Sequence, residues 1–143
     1  MSSQATMQKV LIIGSGPLRI GQTGAFDDAA CRACNVFQKA GLETVMAHCD
    51  PSTQAADVDM ADRTYLVPLT VEALTDIIIK EKPDAILPTV GGTVALRAAN
   101  ALMSSGILDD MDIRLIGVSS ASLAQVNDPG AFSDMVAKAG LPT

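Results

Sequence analysis

A glycine-rich segment with one arginine follows the first apolar run of the chain. It reads GSGPLRIGQ from Gly14 to Gln22. Backbone N–H groups in such a turn, together with the guanidinium of Arg19, could hold a phosphate or a carboxylate near a helix start. The segment is not a dinucleotide fingerprint, because Arg19 stands where a third glycine is needed, nor a P-loop, because no Gly-Lys-Ser/Thr follows. A tight strand-to-helix turn without a ligand explains the same residues, so both interpretations stay open.

Three further segments with polar residues or glycines follow later apolar runs of the chain. In an open parallel sheet, ligands bind beyond the carboxyl ends of the strands, and these segments are expected at that edge. We predict neither a catalytic residue nor a metal ligand in this chain. The predicted contacts to a nucleotide or anion are Gly14, Gly16, Arg19, Gly21, Gln22, Asp50, Thr89, Gly91 and Gly92.

Two cysteines, the histidine and two adjacent aspartates could do chemistry, but we interpret all of them as structural residues. Cys31 and Cys34 form a C-x-x-C pair, which is typical of redox and zinc sites. They lie in the middle of a predicted helix, without a second pair, so we interpret them as buried small hydrophobic residues. His48, the single histidine, is interpreted as a structural hydrogen-bonding residue at a strand end. Asp27 and Asp28 are predicted to cap a helix start, where carboxylates interact favourably with the helix dipole.

Short apolar runs alternate with helical spacing along most of the chain. The apolar runs predict strands at 9–13, 43–47, 64–67, 85–87 and 114–116. Spacings of three and four residues, with caps at Thr70, Ser119 or Ser120, and Asp128, predict helices at 26–40, 71–82, 92–105, 120–126 and 129–139. This alternation predicts the α/β class: a Rossmann-like open parallel sheet of about five strands flanked by helices.

Composition restricts the class of protein. The 143 residues fit one domain, which we place at 9–140, with a disordered lead-in at 1–8 and the start of a linker at 141–143. A net charge of −6 disfavours nucleic-acid binding, and the apolar runs are too short to span a membrane. Three cysteines, an odd count, favour the reducing cytoplasm.

The loops, in their order along the chain, resemble the pre-ATP-grasp domain of carbamoyl-phosphate synthase large subunits. The resemblance covers residues 8–143, and its stretch from Gly106 to Gly117 is similar to the first of the two synthetase halves. The residues that carry it are KVLIIGSGPLRIGQ at 9–22, Phe26-Asp27, DMADRTY at 59–65, PLT at 68–70, EKPDAILPT at 81–89, Gly91-Gly92, GIL at 106–108 and RLIG at 114–117.

The resemblance implies a role in an ATP-dependent ligase. The family's large subunit is similar to two fused ATP-grasp units, which make carbamoyl phosphate for pyrimidine and arginine biosynthesis. The pre-ATP-grasp domain supplies a scaffold and one wall of the active-site cleft, so this chain is expected to be inactive alone. ATP and Mg²⁺ serve the full-length family, and neither is expected to bind tightly here. Implied partners are an ATP-grasp domain of the same or another chain, a glutamine amidotransferase subunit, and a second copy.

The chain departs from the family pattern at several polar positions. His48-Cys49-Asp50-Pro51 stands where the family has Asn-Ser-Asn-Pro or Asn-Cys-Asn-Pro, and Thr93 replaces a glutamine. Pro129 stands where the family has an arginine that reaches ATP, and proline cannot replace that charge. These departures indicate a scaffold with weakened or altered chemistry. Two other hypotheses are a diverged stand-alone nucleotide- or anion-binding or interaction module, and a dinucleotide-binding oxidoreductase, against which Arg19 argues.

Overall fold

The computed structural model describes residues 6–17, 21 and 23–141 of the chain. Residues 1–5 of the predicted lead-in and residues 142–143 of the predicted linker lie outside this part. The strands are β1 (Lys9–Ile13), β2 (Glu43–His48), β3 (Arg63–Leu66), β4 (Ala85–Leu87) and β5 (Arg114–Leu115). The helices are α1 (Thr23–Lys39), α2 (Val71–Glu81), α3 (Gly92–Ser104), α4 (Ile107–Asp110), α5 (Ser120–Asn127) and α6 (Pro129–Lys138), with 3₁₀ turns at Gln54–Ala56 and Thr89–Gly91.

The five strands form one parallel sheet in the order β3-β2-β1-β4-β5, which confirms the predicted α/β class. In the centre, Leu11 of β1 lies opposite Val45 of β2 and Ile86 of β4. The order runs outward from β1 in both directions. A crevice therefore opens between the loops that follow β1 and β4, where an open α/β sheet usually binds its ligands.

Side chains of β1 alternate between two apolar layers. Leu11 and Ile13 pack in one cluster with residues of α2 and α3, whereas Val10 and Ile12 pack in the other with residues of α1. Each fully buried aliphatic side chain stabilises the fold by about 1.5–3 kcal/mol. Cys31 and Cys34 belong to the α1 layer as free, buried thiols, as their interpretation as core residues expects.

Three predicted helix caps are confirmed. The hydroxyl of Thr70 accepts the Ala73 N–H at 3.3 Å, and that of Ser119 accepts the Ser122 N–H at 3.1 Å. Asp128 accepts the Gly130 N–H at 2.8 Å in front of the proline that begins α6. Each cap satisfies an amide that has no partner inside its own helix, which contributes about 1 kcal/mol.

The predicted capping role of Asp27 and Asp28 is wrong. Helix α1 begins at Thr23, so both aspartates lie beyond its first residues. Asp28 instead forms an ion pair with Arg32, four residues later, at 2.7 Å. The carboxylate of Asp27 reaches a different segment, where it accepts the amides of Gln54 at 2.9 Å and Ala55 at 2.8 Å. Asp27 therefore caps the 3₁₀ turn after β2 and not its own helix.

Candidate functional site

The loops after β1 and β4 meet at the centre of the sheet through a glycine. Gly91, in the 3₁₀ turn after β4, lies so close to β1 that an added Cβ would overlap the carbonyl oxygens of Ile13 and Gly14. Only a residue without a side chain permits this approach. The two loops therefore form one continuous wall of the crevice.

The amides of Gly14 and Gly91 are already used within the chain. The Gly14 N–H donates to the Ala47 carbonyl at 2.9 Å, and the Gly91 N–H donates to the Pro88 carbonyl at 3.2 Å. These two groups are therefore not available to hold an anion. The structural role of both glycines is close packing, since a Cβ at Gly14 would also overlap the ring of His48.

The other predicted residues of these loops border the same crevice. Thr89 opens the 3₁₀ turn, and its Oγ1 would be 2.6 Å from a Cβ placed at Gly117 after β5. Gly92 begins α3 with a φ of 69° and lies against the ring of Phe26 from α1. Gly16 packs against α3. The structure thus brings the loops after β1, β4 and β5 together.

The remaining predicted residues are less closely grouped. Asp50 follows β2, on the other side of β1 from β4, and its Oδ1 accepts the N–H of Ser52 at 2.9 Å and the hydroxyl at 2.6 Å. Gly21 has a φ of 92°. Arg19 and Gln22 lie outside the residues that the structure describes. The part of the proposed anion site that depends on them stays a prediction.

His48 joins the loops after β1 and β2. Its side chain is fully buried. Nδ1 accepts the Asp50 N–H at 3.0 Å, and Nε2 lies 3.2 Å from the Ser15 hydroxyl and 3.3 Å from the Thr53 hydroxyl. Burial lowers the pKa of His48, although the negative charges of Asp27 and Asp50 oppose this. The sequence suggested a structural histidine but not its partners, because no local spacing links positions 15, 48 and 53.

An apolar groove of about 460 Å³ opens beside this edge of the sheet. Leu66 is 53% exposed and Val94 is 42% exposed. The thiol of Cys49 has a raised pKa because of burial and the neighbouring charge of Asp50. Among the residues that line the groove are Pro17, Cys49, Leu66, Pro68, Leu69 and Val94. The groove therefore offers apolar contact area next to the glycine-rich loops.

Sequence reasoning missed a buried carboxylate at the opposite edge of the sheet. The Glu81 side chain is 2% exposed, and it lies 3.3 Å from Nζ of Lys9 and 3.4 Å from Nη1 of Arg63. The Tyr65 hydroxyl donates a short hydrogen bond to it. Burial raises the pKa of Glu81, but the bonds from Tyr65 and Lys9 and the charge of Arg63 outweigh burial and lower it.

A signal for this burial exists in the sequence. Glu81 follows Leu74 and Ile78 on the buried face of α2, at spacings of four and three residues. An acid in such a series needs buried partners of opposite charge. The basic residues Lys9 and Arg63 begin β1 and β3 and so lie at the amino ends of the strands. This cluster therefore holds strand starts together, far from the candidate ligand edge.

The described residues hold no cluster of metal-ligating side chains. Within 6–17, 21 and 23–141, no three side chains of histidine, cysteine, aspartate or glutamate converge as metal ligands. None of the helices in the same part of the chain has the length and apolar character needed to cross a membrane.

Several solved structures share this fold. One is the biotin carboxylase domain dimer of 2-oxoglutarate carboxylase from Hydrogenobacter thermophilus, in complex with MgADP, ADP and bicarbonate. Its TM-score is 0.67 and its sequence identity is 21%, and the match covers 96% of this chain and 28% of that chain. Another is pyruvate carboxylase from Rhizobium etli, with a TM-score of 0.65 and 17% identity over 96% of this chain and 12% of that chain. At such identities, the likeness concerns the fold alone.

Sequence comparison is more specific. The chain is 43% identical over 136 residues to the carbamoyl phosphate synthase large chain of Agathobacter rectalis, which covers 95% of this chain and 13% of that protein. The chain thus spans a small part of the relative's length. Residues 6–125 match the family described as "Carbamoyl phosphate synthase preATP-grasp domain". The chain therefore belongs to the carbamoyl phosphate synthase pre-ATP-grasp domain family.

Proposed function

We propose that this chain acts as the N-terminal pre-ATP-grasp domain of the first synthetase half of a carbamoyl-phosphate synthase large subunit. In this role it provides a scaffold and one wall of the cleft in which ATP-dependent carbamoyl phosphate synthesis occurs, in the cytoplasm. It does not catalyse the reaction alone. The proposal rests on the close contact of Gly91 with the carbonyl oxygens of Ile13 and Gly14. In a chain of this family, this contact joins the loops after β1 and β4 into one wall.

The cleft wall has two kinds of residue in this proposal. Gly14 and Gly91 act by packing, because their amides are bonded to carbonyls of the chain. The residues proposed to face a nucleotide or anion are Gly16, Arg19, Gly21, Gln22, Asp50, Thr89 and Gly92. ATP supplies the transferred phosphoryl group when it is bound, and the ligands of Mg²⁺ come from the ATP-grasp domain.

The partner of this edge is an ATP-grasp domain, in the same or another chain. The apolar groove beside Leu66 and Val94 supports such a contact, because a domain interface needs apolar area next to the polar loops. A glutamine amidotransferase subunit is the proposed source of ammonia.

A chimera tests the proposal directly. This chain replaces the matching segment of the Agathobacter rectalis large chain, and bicarbonate-dependent ATP hydrolysis is measured. We expect the isolated chain to show no hydrolysis and the chimera to show a reduced rate, because Pro129 lacks the charge of an arginine. Pro129→Arg in the chimera is expected to raise the rate.

Two results would contradict this proposal. One is bicarbonate-dependent hydrolysis by the isolated chain, which would place catalysis within these residues. The other is a chimera that folds, by circular dichroism and gel filtration, but stays inactive both with Pro129 and with Pro129→Arg. The parent large chain provides the reference rate, and the parent with proline placed at the position that matches Pro129 is the matched control.

A second candidate is a stand-alone nucleotide- or anion-binding or interaction module. The exposure of Leu66 and Val94 beside the glycine-rich loops favours it, because exposed apolar surface next to polar loops is typical of binding sites. Thermal shift measurements with ADP, ATP and inorganic phosphate, together with light scattering, separate the two candidates. A clear shift or a stable dimer from the chain alone supports the module.

A further inference from the structure

The ring of His48 has a single arrangement of protons that satisfies its neighbours. Nδ1 accepts the Asp50 N–H at 3.0 Å, and a backbone amide can only donate. Nδ1 therefore carries no proton, and the neutral ring has its hydrogen on Nε2. The Thr53 hydroxyl donates to the Asp50 carbonyl at 3.1 Å, which leaves its oxygen free to accept from Nε2 at 3.3 Å. The Ser15 hydroxyl lies within reach at 3.2 Å.

A second proton on the ring would break this arrangement. It would place an N–H on Nδ1, directly facing the Asp50 N–H, so that two donors would meet where one hydrogen bond existed. The ring is fully buried, so water cannot take the place of the lost acceptor without movement of the loop. The Asp50 amide is therefore the contact most sensitive to the charge of His48.

Nearby carboxylates favour a protonated His48 ring, but they only partly offset the effect of burial, which disfavours the charged form. Among the described residues, the facing charges are Asp27 of α1 and Asp50 of the adjacent loop. Both favour a protonated ring, but burial outweighs them and lowers the pKa of His48. Cys49, the neighbouring titratable group, has a raised pKa and so contributes no charge near neutral pH.

We propose that His48 is a positioning residue, whose neutral Nε2–H form accepts the Asp50 amide on Nδ1 while Nε2 faces Ser15 and Thr53, and that protonation of the ring in acid releases the Asp50 amide from the ring. The inference depends on the contacts of His48 and not on the proposed enzymatic role. Its failure would leave the cleft-wall proposal intact, and a failed chimera would not affect it.

The next segment provides an internal reference for the test. The amides of Gln54 and Ala55 donate to Asp27 at 2.9 and 2.8 Å, and so do not depend on the ring. Release by His48 should therefore be limited to the Asp50 amide and leave the Gln54 and Ala55 amides protected. A general loss of structure in acid would expose all of these amides together.

NMR spectroscopy of the ¹⁵N-labelled chain tests the proposal. Ring nitrogen shifts at neutral pH should show the Nε2–H tautomer of His48, with a titration midpoint below 6.5. After correction for the intrinsic pH dependence of exchange, the Asp50 amide should lose about tenfold in protection on protonation, as expected for one hydrogen bond. The Gln54 and Ala55 amides should change less than about twofold.

Two variants separate charge from packing. In His48→Asn, the side-chain oxygen can replace Nδ1 as acceptor but cannot titrate, so protection of Asp50 should become independent of pH. In His48→Gln, the amide replaces Nε2 but not Nδ1, and protection of Asp50 should be about tenfold lower than in the wild type at neutral pH and independent of pH. If neither variant folds, the wild-type titration decides alone. An Nδ1–H tautomer, or an Asp50 amide whose protection does not follow the His48 titration, would overturn the proposal.

Discussion

Replacement of Glu81 by glutamine should destabilise the fold at neutral pH. Glu81→Gln removes the charge from a side chain that is 2% exposed and lies within 3.4 Å of two cations. Breaking a buried ion pair usually costs about 3–5 kcal/mol. The cost is smaller here, because Lys9 keeps Glu43 at 3.0 Å and Arg63 is 55% exposed. We expect a loss of about 2 kcal/mol, or about 6 °C in Tm for a domain of this size.

The effect should depend on pH in one direction. The pKa of Glu81 is lower in the folded chain than its ordinary value of 4.5. Its ionised form therefore stabilises the fold at pH values above 4.5, and this contribution disappears as the pH falls through the folded-state pKa. Urea unfolding followed by circular dichroism, at neutral pH and at several values below 4.5, measures the difference between the wild type and Glu81→Gln.

Asp76→Asn is the matched control. Asp76 is an exposed acid of the same helix, and its change removes the same charge with an expected effect below about 0.5 kcal/mol. The reasoning fails if Glu81→Gln is no more destabilising than Asp76→Asn at neutral pH. It also fails if the difference between wild type and Glu81→Gln is unchanged in acid, since protonated glutamate and glutamine are nearly equivalent.

Two further predictions concern the central crevice and the thiols. Gly91→Ala should destabilise the chain by about 3 kcal/mol in urea unfolding, because its Cβ would overlap backbone atoms of β1. The control is Gly24→Ala, which lies in open space within α1 and should stabilise the chain by about 0.5 kcal/mol. Equal effects of the two substitutions would refute the packing argument. Cys31, whose pKa burial and Asp27 raise to about 11, and Cys34 should react with a thiol reagent about 100-fold more slowly in the folded chain than in urea. Fast reaction in the folded state would contradict their assignment to the core.

Local patterns predicted much of the fold. β1 is recognisable because four apolar residues, three of them β-branched and followed by a glycine, are typical of a strand buried on both faces. The caps at Thr70, Ser119 and Asp128 were recognisable because a cap involves residues within three positions of one another. By contrast, β3 begins one residue earlier than the apolar run at 64–67 predicts. The sequence gives no signal for α4, because four residues carry no helical period.

Contacts between distant residues were not predictable in this way. Asp27 resembles a capping residue in the sequence, but its partner amides lie 27 and 28 positions away. Glu81 lies 72 positions from Lys9, and His48 lies 33 positions from Ser15. Such pairs depend on strand order, which a single sequence does not contain. The sequence predicts a site at the strand ends, and the structure brings the loops after β1, β4 and β5 together there. Which glycines pack against distant atoms could not be read from the sequence, because those contacts join separate strands.

The position of β1 has a consequence for the order in which the chain acquires its structure. β1 is made first, yet it occupies the centre of the sheet and needs neighbours on both sides. Its pairing with β2 can form early, but the β4 side stays open until residues 84–87 emerge, when the Asp84 carboxylate binds the Gln8 and Lys9 amides at 2.8 Å. During synthesis, a half-sheet of β1 to β3 therefore precedes the complete domain, and its β1 edge, which is covered later by β4, is still bare. In this interval the nascent chain is prone to pair wrongly with another copy.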